Sequence, residues 1–448
     1  MPKTIAPARS LRSHIANSPM TAYQWLVVAC AVLLNANDGF DVAAMSFVSV
    51  NVENEFGLSG SVLGTVISAT LVGMSIGAIF IGRLADAIGR RWTLVASTAI
   101  STLGMFLASS AQNVVQLGIW RVVTGLGVGG ILAGVTVVVA EFSSTRWRGL
   151  AIGIYSAGYG IGAFLGGIAA NSLQENLGWR SVFFVGASAS VVILVAVIAI
   201  MPESVQFLVT KRPAYADKAL GRIATRVHFD PAKATLAAHP VQTSEKAAKT
   251  GFLDLFKGAA LRPTLLLWAV FLTIMFAFYF VNSWTPRLMI EAGMTTEQGV
   301  YIGMALAVGG AVGSVLFGIV AAKVSVERVL LIFVLISAVS IVAFVFSTAV
   351  LAVAMTLGVF VGLVVNGCVA GAYAVAPTRY EAAVRGTGVG VTLAVGRLAA
   401  IFAPIFGGAM LDMGLSVVVL YSVAAVVLVV GAVGLVGLSK VPRSEETA

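Results

Sequence analysis

The stretch YQWLVVACAVLLNANDGFDVAAMSFVSV, running from Tyr23 to Val50, decides the fold. A helix that crosses a membrane needs about 20 predominantly apolar residues. Ending this one before Asp38 would leave only the fifteen residues Tyr23 to Asn37, so Asp38 and Asp41 must lie inside the span. A charge at the bilayer centre costs about 2.5–3.5 kcal/mol even on the most lenient insertion scale. Two acids three residues apart therefore require a water-filled cavity, a partner or a bound proton. That requirement points to transport.

The rest of the chain has the same character. It is 59% hydrophobic and 10% charged, where a globular protein has about 25% charged residues. A mean hydropathy of +0.98 places it among all-α polytopic membrane proteins. The 48 glycines fall largely within apolar runs, where small residues let helices approach closely. The residues before Tyr23 are basic and lack an apolar core. The run that follows is too long for a signal peptide and ends in no small-residue cleavage site, so it is expected to stay as the first span. Cys30 and Cys368 lie in predicted helices of opposite halves and read as small apolar residues, with no disulfide expected.

Apolar runs predict twelve spans, at 23–50, 60–81, 92–111, 114–140, 149–171, 180–201, 263–285, 298–321, 328–348, 350–376, 386–410 and 415–439. With the N-terminus in the cytoplasm, 24 of the 28 Lys and Arg residues fall on the cytoplasmic side. Only Arg180 and Arg287 fall outside, and Arg121 and Arg397 lie within spans. Such asymmetry is the positive-inside pattern. It accounts for the net charge of +9 without a nucleic-acid partner. Gly82…Arg91 has an echo at Gly318…Arg328, and Arg148-Gly149 recurs as Arg385-Gly386, at offsets of 236–237 residues. The expected organisation is therefore two parallel six-span repeats. It comprises a cytoplasmic tail 1–22, a six-helix bundle 23–201, a central cytoplasmic loop 202–262, a second bundle 263–439 and a cytoplasmic tail 440–448. The central loop carries charges, prolines and short amphipathic stretches such as AYADKALGRIATRV, with no nucleotide-binding loop or catalytic constellation. Neither an enzyme nor a cofactor is expected, and a receptor would need an output module that is not visible.

At this point the chain resembles the major facilitator superfamily. GRLADAIGRRWTL (82–94) is similar to its loop signature G-x-L-a-D-x-x-G-R-[RK]. RVVTGLGVGG (121–130) resembles the fourth-helix pattern of an Arg followed by spaced glycines, and MPES (201–204) closes the sixth span as in the superfamily. GYGIGAFLGG (158–167) resembles the antiporter motif but has Ala163 where that motif has Pro, which weakens an antiporter reading. NDGFDVAAMSF (37–47), GVGVTLAVGRLAAIFAPIFGG (388–408) and NSWTPRLM (282–289) are similar to the aromatic acid:proton symporter family. The resemblance covers nearly the whole chain. It implies inward, proton-coupled transport of benzoate-like acids, hydroxybenzoates, phenylpropionates and related acids across a bacterial inner membrane. It also implies that Gly82, Asp86, Gly89, Arg90 and Arg91 form a tight cytoplasmic turn at an inside gate. Asp86 would contact a helix end across the interface, and a basic residue would reach Glu141. The alternative for these arginines is a purely topological role.

Asp38 and Asp41 project from neighbouring positions on one helix, and Asn35 and Asn37 extend the polar stripe. Two readings are open. Like charges in a desolvated site cannot both stay ionised, so one acid binds and releases a proton; or an acid locks a helix by pairing with a neighbour. Elimination favours the proton carrier, since His14, His228 and His239 fall in cytosolic segments and no lysine lies deep in a span. Gly39 permits either a kink or close helix packing. A substrate carboxylate in a low-dielectric cavity needs a fixed cation, and Arg offers bidentate geometry. Arg121 and Arg397 are both candidates, with Arg121 alternatively neutralising Asp38 or Asp41. Phe40, Tyr155, Tyr159, Tyr279, Trp284 and Tyr373 are candidates for stacking on a ring. Tyr155 and Tyr159 share a face, and Trp284 equally suits an interfacial anchor. The expected mechanism is alternating access by two rocking halves, in a protein that works as a monomer with protons and a small aromatic carboxylate as its partners in the bilayer. Uptake of another organic anion, or export of drugs or metabolites, is the rival reading.

Overall fold

A computed structural model describes residues 11–230, 255–256 and 260–441. Parts of both expected tails and of the central loop, with His239, lie outside the described residues. Among the described residues, twelve helices are long and apolar enough to cross a membrane. They are span one, Ala22–Phe56; span two, Gly60–Ile88; span three, Arg90–Ser109; span four, Val114–Phe142; span five, Arg148–Leu177; and span six, Arg180–Ile200. The second bundle holds span seven, Leu261–Glu291; span eight, Thr296–Ala321; span nine, Val326–Val345; span ten, Leu351–Val375; span eleven, Ala382–Asp412; and span twelve, Val417–Ser439.

Local chemistry explains where these helices start and stop. Thr21 and Thr295 close capping boxes with Gln24 and Gln298, and Ser59 and Asn113 cap spans two and four, each satisfying backbone N–H groups that a helix start leaves unpaired. Span one runs past the expected Val50 and stops at Gly57, whose φ of 61° suits glycine. Two boundaries correct the sequence expectation more substantially. The signature segment from Gly82 to Ile88 is helix rather than turn, and the chain reverses at Gly89 alone, with φ 98°. Span seven continues through Pro286. Proline removes one N–H from the ladder; beside it, Trp284 donates to the Pro404 carbonyl of span eleven, Thr285 bonds Tyr421 of span twelve, and Pro286 itself packs on Gly299 and Gly303 of span eight.

Helix pairing follows the repeat. Spans one and five, two and four, three and four, and three and six pack together in the first bundle. Their counterparts seven and eleven, eight and ten, nine and ten, and nine and twelve do so in the second. The halves meet mainly through spans two and eleven, five and eight, and one and seven. Short helices Leu11–Asn17, Val205–Lys211 and Ala216–Arg226 bury Leu11, Ile15, Leu208, Leu220 and Ile223 against the first bundle. Cys30 and Cys368 are both free and buried.

The two ends of the bundle differ. One end, here called the basic end, holds the turn at Gly89 and the segment after span six; the other is the far end. At the far end the halves are locked. Asp412 of span eleven accepts from the N–H groups of Gly60 (2.6 Å) and Ser61 (2.9 Å) and from the Ser61 hydroxyl, so a carboxylate sits on the N-terminus of span two. Arg287 of span seven donates to both oxygens of Glu53 of span one, at 2.8 and 3.1 Å. Deeper in, the Ser68 hydroxyl donates to the Ile401 carbonyl at 2.7 Å. Gly64 is there because only a hydrogen fits: a Cβ would lie 2.8 Å from the Pro404 carbonyl carbon. Among the described residues, the hydrogen bonds and ion pairs that join the halves lie at the far end or toward the middle, and Asp86 at the basic end is 79% exposed. The structure is closed at the far end and open at the basic end.

Gly64→Leu should keep the far end from closing and so shift the protein toward a state closed at the basic end. A cysteine placed at Gly153 should then react more slowly with a maleimide added from the basic side than it does with Gly64 intact. An unchanged labelling rate would show that the Gly64 contact does not control closure.

Candidate functional site

Halfway along span one the helix buries a charge that hydrocarbon would not accept alone. Asp41 is 0% exposed and Arg121 of span four is 1% exposed. Arg121 Nη1 donates to Asp41 Oδ1, and its Nη2 donates to the Asp41 backbone carbonyl at 3.2 Å. The guanidinium also lies over the Phe183 ring, 5.4 Å from its centroid. Arg121 is thus committed to span one. Asp38, 3% exposed, has no such partner: among the described residues it makes no hydrogen bond or ion pair, and its Oδ1 is sealed from solvent. Asp41, Arg397 and Arg121 all lie within range of its charge. Arg397 is half-buried and likewise makes no hydrogen bond or ion pair with any described residue.

Span five brings its tyrosines to the same place. Tyr155 and Tyr159 both lie close enough to feel the Asp38 charge, and Tyr159 also neighbours Asp41 and Tyr279. Tyr279 of span seven in turn neighbours Arg397. The approach depends on Gly39, where a Cβ would lie 2.8 Å from the Tyr159 carbonyl carbon. Of the two uses of Gly39, close helix packing is the one seen. Asn35 fixes the register by donating to the Tyr155 carbonyl at 2.9 Å.

Beside this cluster is a cavity of about 380 Å³ between the two halves. Its walls come from spans one, five, seven, eight and ten, and include Ser46, Tyr159, Asn282, Ser314 and Asn366. None of its lining residues is charged. Pockets that hold small ligands usually measure about 300–1,000 Å³, so a single-ring molecule fits.

Other sequence candidates sit elsewhere. Trp284 is fully buried, and its indole N–H donates to the Pro404 carbonyl at 2.9 Å, tying span seven to span eleven. It does not line the cavity and is no interfacial anchor. Phe40 packs on Gly186 of span six. Tyr373 is 48% exposed and meets Phe271 edge-on. At the basic end Asp86 is 79% exposed and pairs at 3.7 Å with Arg90, with no ion pair to the second half among the described residues. Arg83 is also exposed. Glu141 accepts from the Ser204 hydroxyl at 3.0 Å, and no arginine among the described residues forms an ion pair with it. The Asp86 contact expected across the halves is not formed in this conformation, and within the first half Glu141 is taken up by Ser204. The tight spot there is Glu203, which no sequence reading gave a role. Its carboxylate accepts from the N–H groups of Arg90 (2.7 Å), Arg91 (3.2 Å) and Ser204 (2.9 Å), capping span three where Gly89 has no side chain to do so. Burial nevertheless pushes the Glu203 carboxyl above its ordinary range. Asn282 and Asn366 were also missed, although an isolated amide in an apolar span is a signal in its own right.

The arrangement has relatives. Residues 25–350 match the model of the Major Facilitator Superfamily. The gallate transporter of Pseudomonas putida is 31% identical, over 92% of this chain and 91% of its own length. The 4-hydroxybenzoate transporter of the same organism is also 31% identical, with the same coverage of 92% and 91%. Among solved structures, a partially occluded, inward-open form of the xylose transporter of E. coli superimposes with a TM-score of 0.73 at 19% identity, covering 96% of this chain and all of that one. Twelve spans in two repeated bundles, a family match over most of the length and relatives of this similarity agree: the chain belongs to the Major Facilitator Superfamily, in the branch that holds these aromatic-acid transporters.

Proposed function

We propose that the protein is a proton-coupled secondary transporter that carries an aromatic carboxylic acid into the cell by alternating access, in a bacterial inner membrane with the basic end and both termini cytoplasmic. The single observation that carries this reading is the division of labour among four charges. Asp41 and Arg121 neutralise one another, which leaves Asp38 as a buried acid and Arg397 as a half-buried cation, neither with a hydrogen bond or ion pair among the described residues. An unpaired buried ion costs several kcal/mol, so each of the two remaining groups has a use for what the cycle delivers. A proton removes the cost at Asp38, and a substrate carboxylate removes it at Arg397.

The cycle runs as follows. With the far end open, Asp38 takes a proton and the substrate carboxylate docks on Arg397. Neutralising both lets spans two and eleven close through Asp412 and Gly64, while Arg287 grips Glu53. The basic end then opens, where a higher pH takes the proton and the acid leaves. Tyr159, which touches both the charged cluster and the cavity, stands where the ring meets its carboxylate. When the basic end closes, Asp86 meets a helix end of the second half and Arg90 or Arg91 reaches Glu141; the exposure of Asp86 with that end open supports this gating role. Gly82 and Gly89 shape that corner. The symporter reading is favoured over export because the charge set offers one site for an anion and one for a proton on the same path.

Three outcomes test the assignment. Asp38→Asn should abolish accumulation of a labelled aromatic acid against its gradient in proteoliposomes, lowering it at least tenfold, while exchange of internal for external substrate continues. Accumulation at the parental level would remove Asp38 from the coupling. Arg397→Gln should raise the half-saturating substrate concentration by about tenfold or more, equivalent to about 1.4 kcal/mol; an unchanged value would assign the carboxylate elsewhere. Arg121→Leu strands Asp41 and should cost about 3–5 kcal/mol of stability. Adding Asp41→Leu should recover much of that in thermal unfolding, and a double variant no more stable than the single would mean the two side chains are not coupled.

A further inference from the structure

The cavity has a chemistry of its own. Asn282 donates its side-chain N–H to the Phe278 carbonyl at 2.8 Å, and Asn366 donates to the Gly362 carbonyl at 2.9 Å, each one turn back on its own helix. A backbone carbonyl only accepts, so these bonds settle which way each amide points. Each amide uses one of its two N–H groups in this way, and both side-chain carbonyl oxygens lack a donor among the described residues. Gly310 makes room for the Asn366 amide, since a Cβ there would lie 2.8 Å from the amide carbon. The result is two amides on the cavity wall, each with an open acceptor oxygen, with the hydroxyls of Ser46, Ser314 and Tyr159 around them and no cation among the lining residues.

A carboxylate at this wall would meet two amide oxygens that repel it and no cation to offset the hydration it loses. The charged end of a substrate is therefore turned away, toward Arg397. What suits this wall is a neutral donor carried on the ring. Resting on the proposed transport of an aromatic acid, we propose that Asn282 and Asn366 read hydroxyl groups on the ring, so that the transporter selects hydroxylated aromatic acids over the unsubstituted one. A site built to hydrogen-bond a substrate hydroxyl discriminates strongly against the analogue that lacks it, because the site's own polar groups are then left unpaired.

Competition between labelled 4-hydroxybenzoate and either benzoate or 3,4-dihydroxybenzoate, using the full-length protein in proteoliposomes, tests this. The parent should prefer both hydroxylated acids to benzoate by about tenfold or more. Asn366→Leu and Asn282→Leu should each reduce that preference at least threefold, and the double variant should erase it. The ratio carries the answer, since benzoate uptake by the same variant reports that it is folded. Where a leucine variant does not insert, the alanine variant removes the carbonyl without adding bulk and gives the same reading. Preference retained by the double variant overturns the assignment to these amides. Uptake of benzoate and hydroxybenzoates with equal preference by the parent overturns ring-hydroxyl selection and leaves aromatic-acid transport standing. Uptake of neither overturns both.

Discussion

The buried pair of Asp41 and Arg121 is the contact on which the rest depends. Both side chains are closed off from solvent, and the guanidinium holds span one at two points, a carboxylate oxygen and a backbone carbonyl. Because the pair is complete in itself, it defines what is left over. Asp38, three residues away, makes no hydrogen bond or ion pair among the described residues, and Arg397 of the other bundle lies within range of its charge. Had Arg121 taken Asp38 instead, the unpaired acid would sit one turn nearer the far end. Helix rotation, fixed by Gly39 against Tyr159 and by Asn35 against the Tyr155 carbonyl, decides which acid is free.

The same economy of small side chains governs opening and closing. Where spans two and eleven meet, Gly60, Gly64 and Gly408 bring backbones together with no side chain between them. Polar contacts then add direction: Asp412 sits on the positive end of span two and Arg287 clamps Glu53. Corresponding glycines at the basic end of spans five, eight and eleven face open space, so the fold has small residues in place for the opposite closure as well. Two arrangements of one set of rigid bundles are what alternating access needs.

Much of this was legible in the sequence, for reasons tied to the bilayer. Hydrocarbon tolerates neither unpaired backbone nor stray charge, so apolar runs mark the spans, and Asp38, Asp41, Arg121 and Arg397 stand out because each is costly. The repeat was also visible, and helix pairing in the two bundles follows it. What sequence lacks is the rotation of each helix about its axis. Hydropathy could not say that Arg121 chooses Asp41, that Trp284 is committed to the Pro404 carbonyl, or that Asn282 and Asn366 face one cavity. The turn was placed too early because Gly82 to Ile88 carries loop-like charge yet is compatible with helix, whereas only Gly89 takes a positive φ. Span seven was cut short at Pro286 because the rule that proline ends a helix weakens where neighbouring helices support it. Which end is open is not written in the sequence at all, since one sequence must encode both states.

The central claim is that a proton and an aromatic carboxylate move together through a site built on Asp38 and Arg397. It is tested most directly by a pH-sensitive dye trapped inside proteoliposomes, with protein-free vesicles correcting for passive entry of the protonated acid. The account predicts that adding 4-hydroxybenzoate outside acidifies the lumen faster than in protein-free vesicles, by an amount that tracks labelled substrate entry. Substrate entry through the protein with no accompanying proton movement would contradict it.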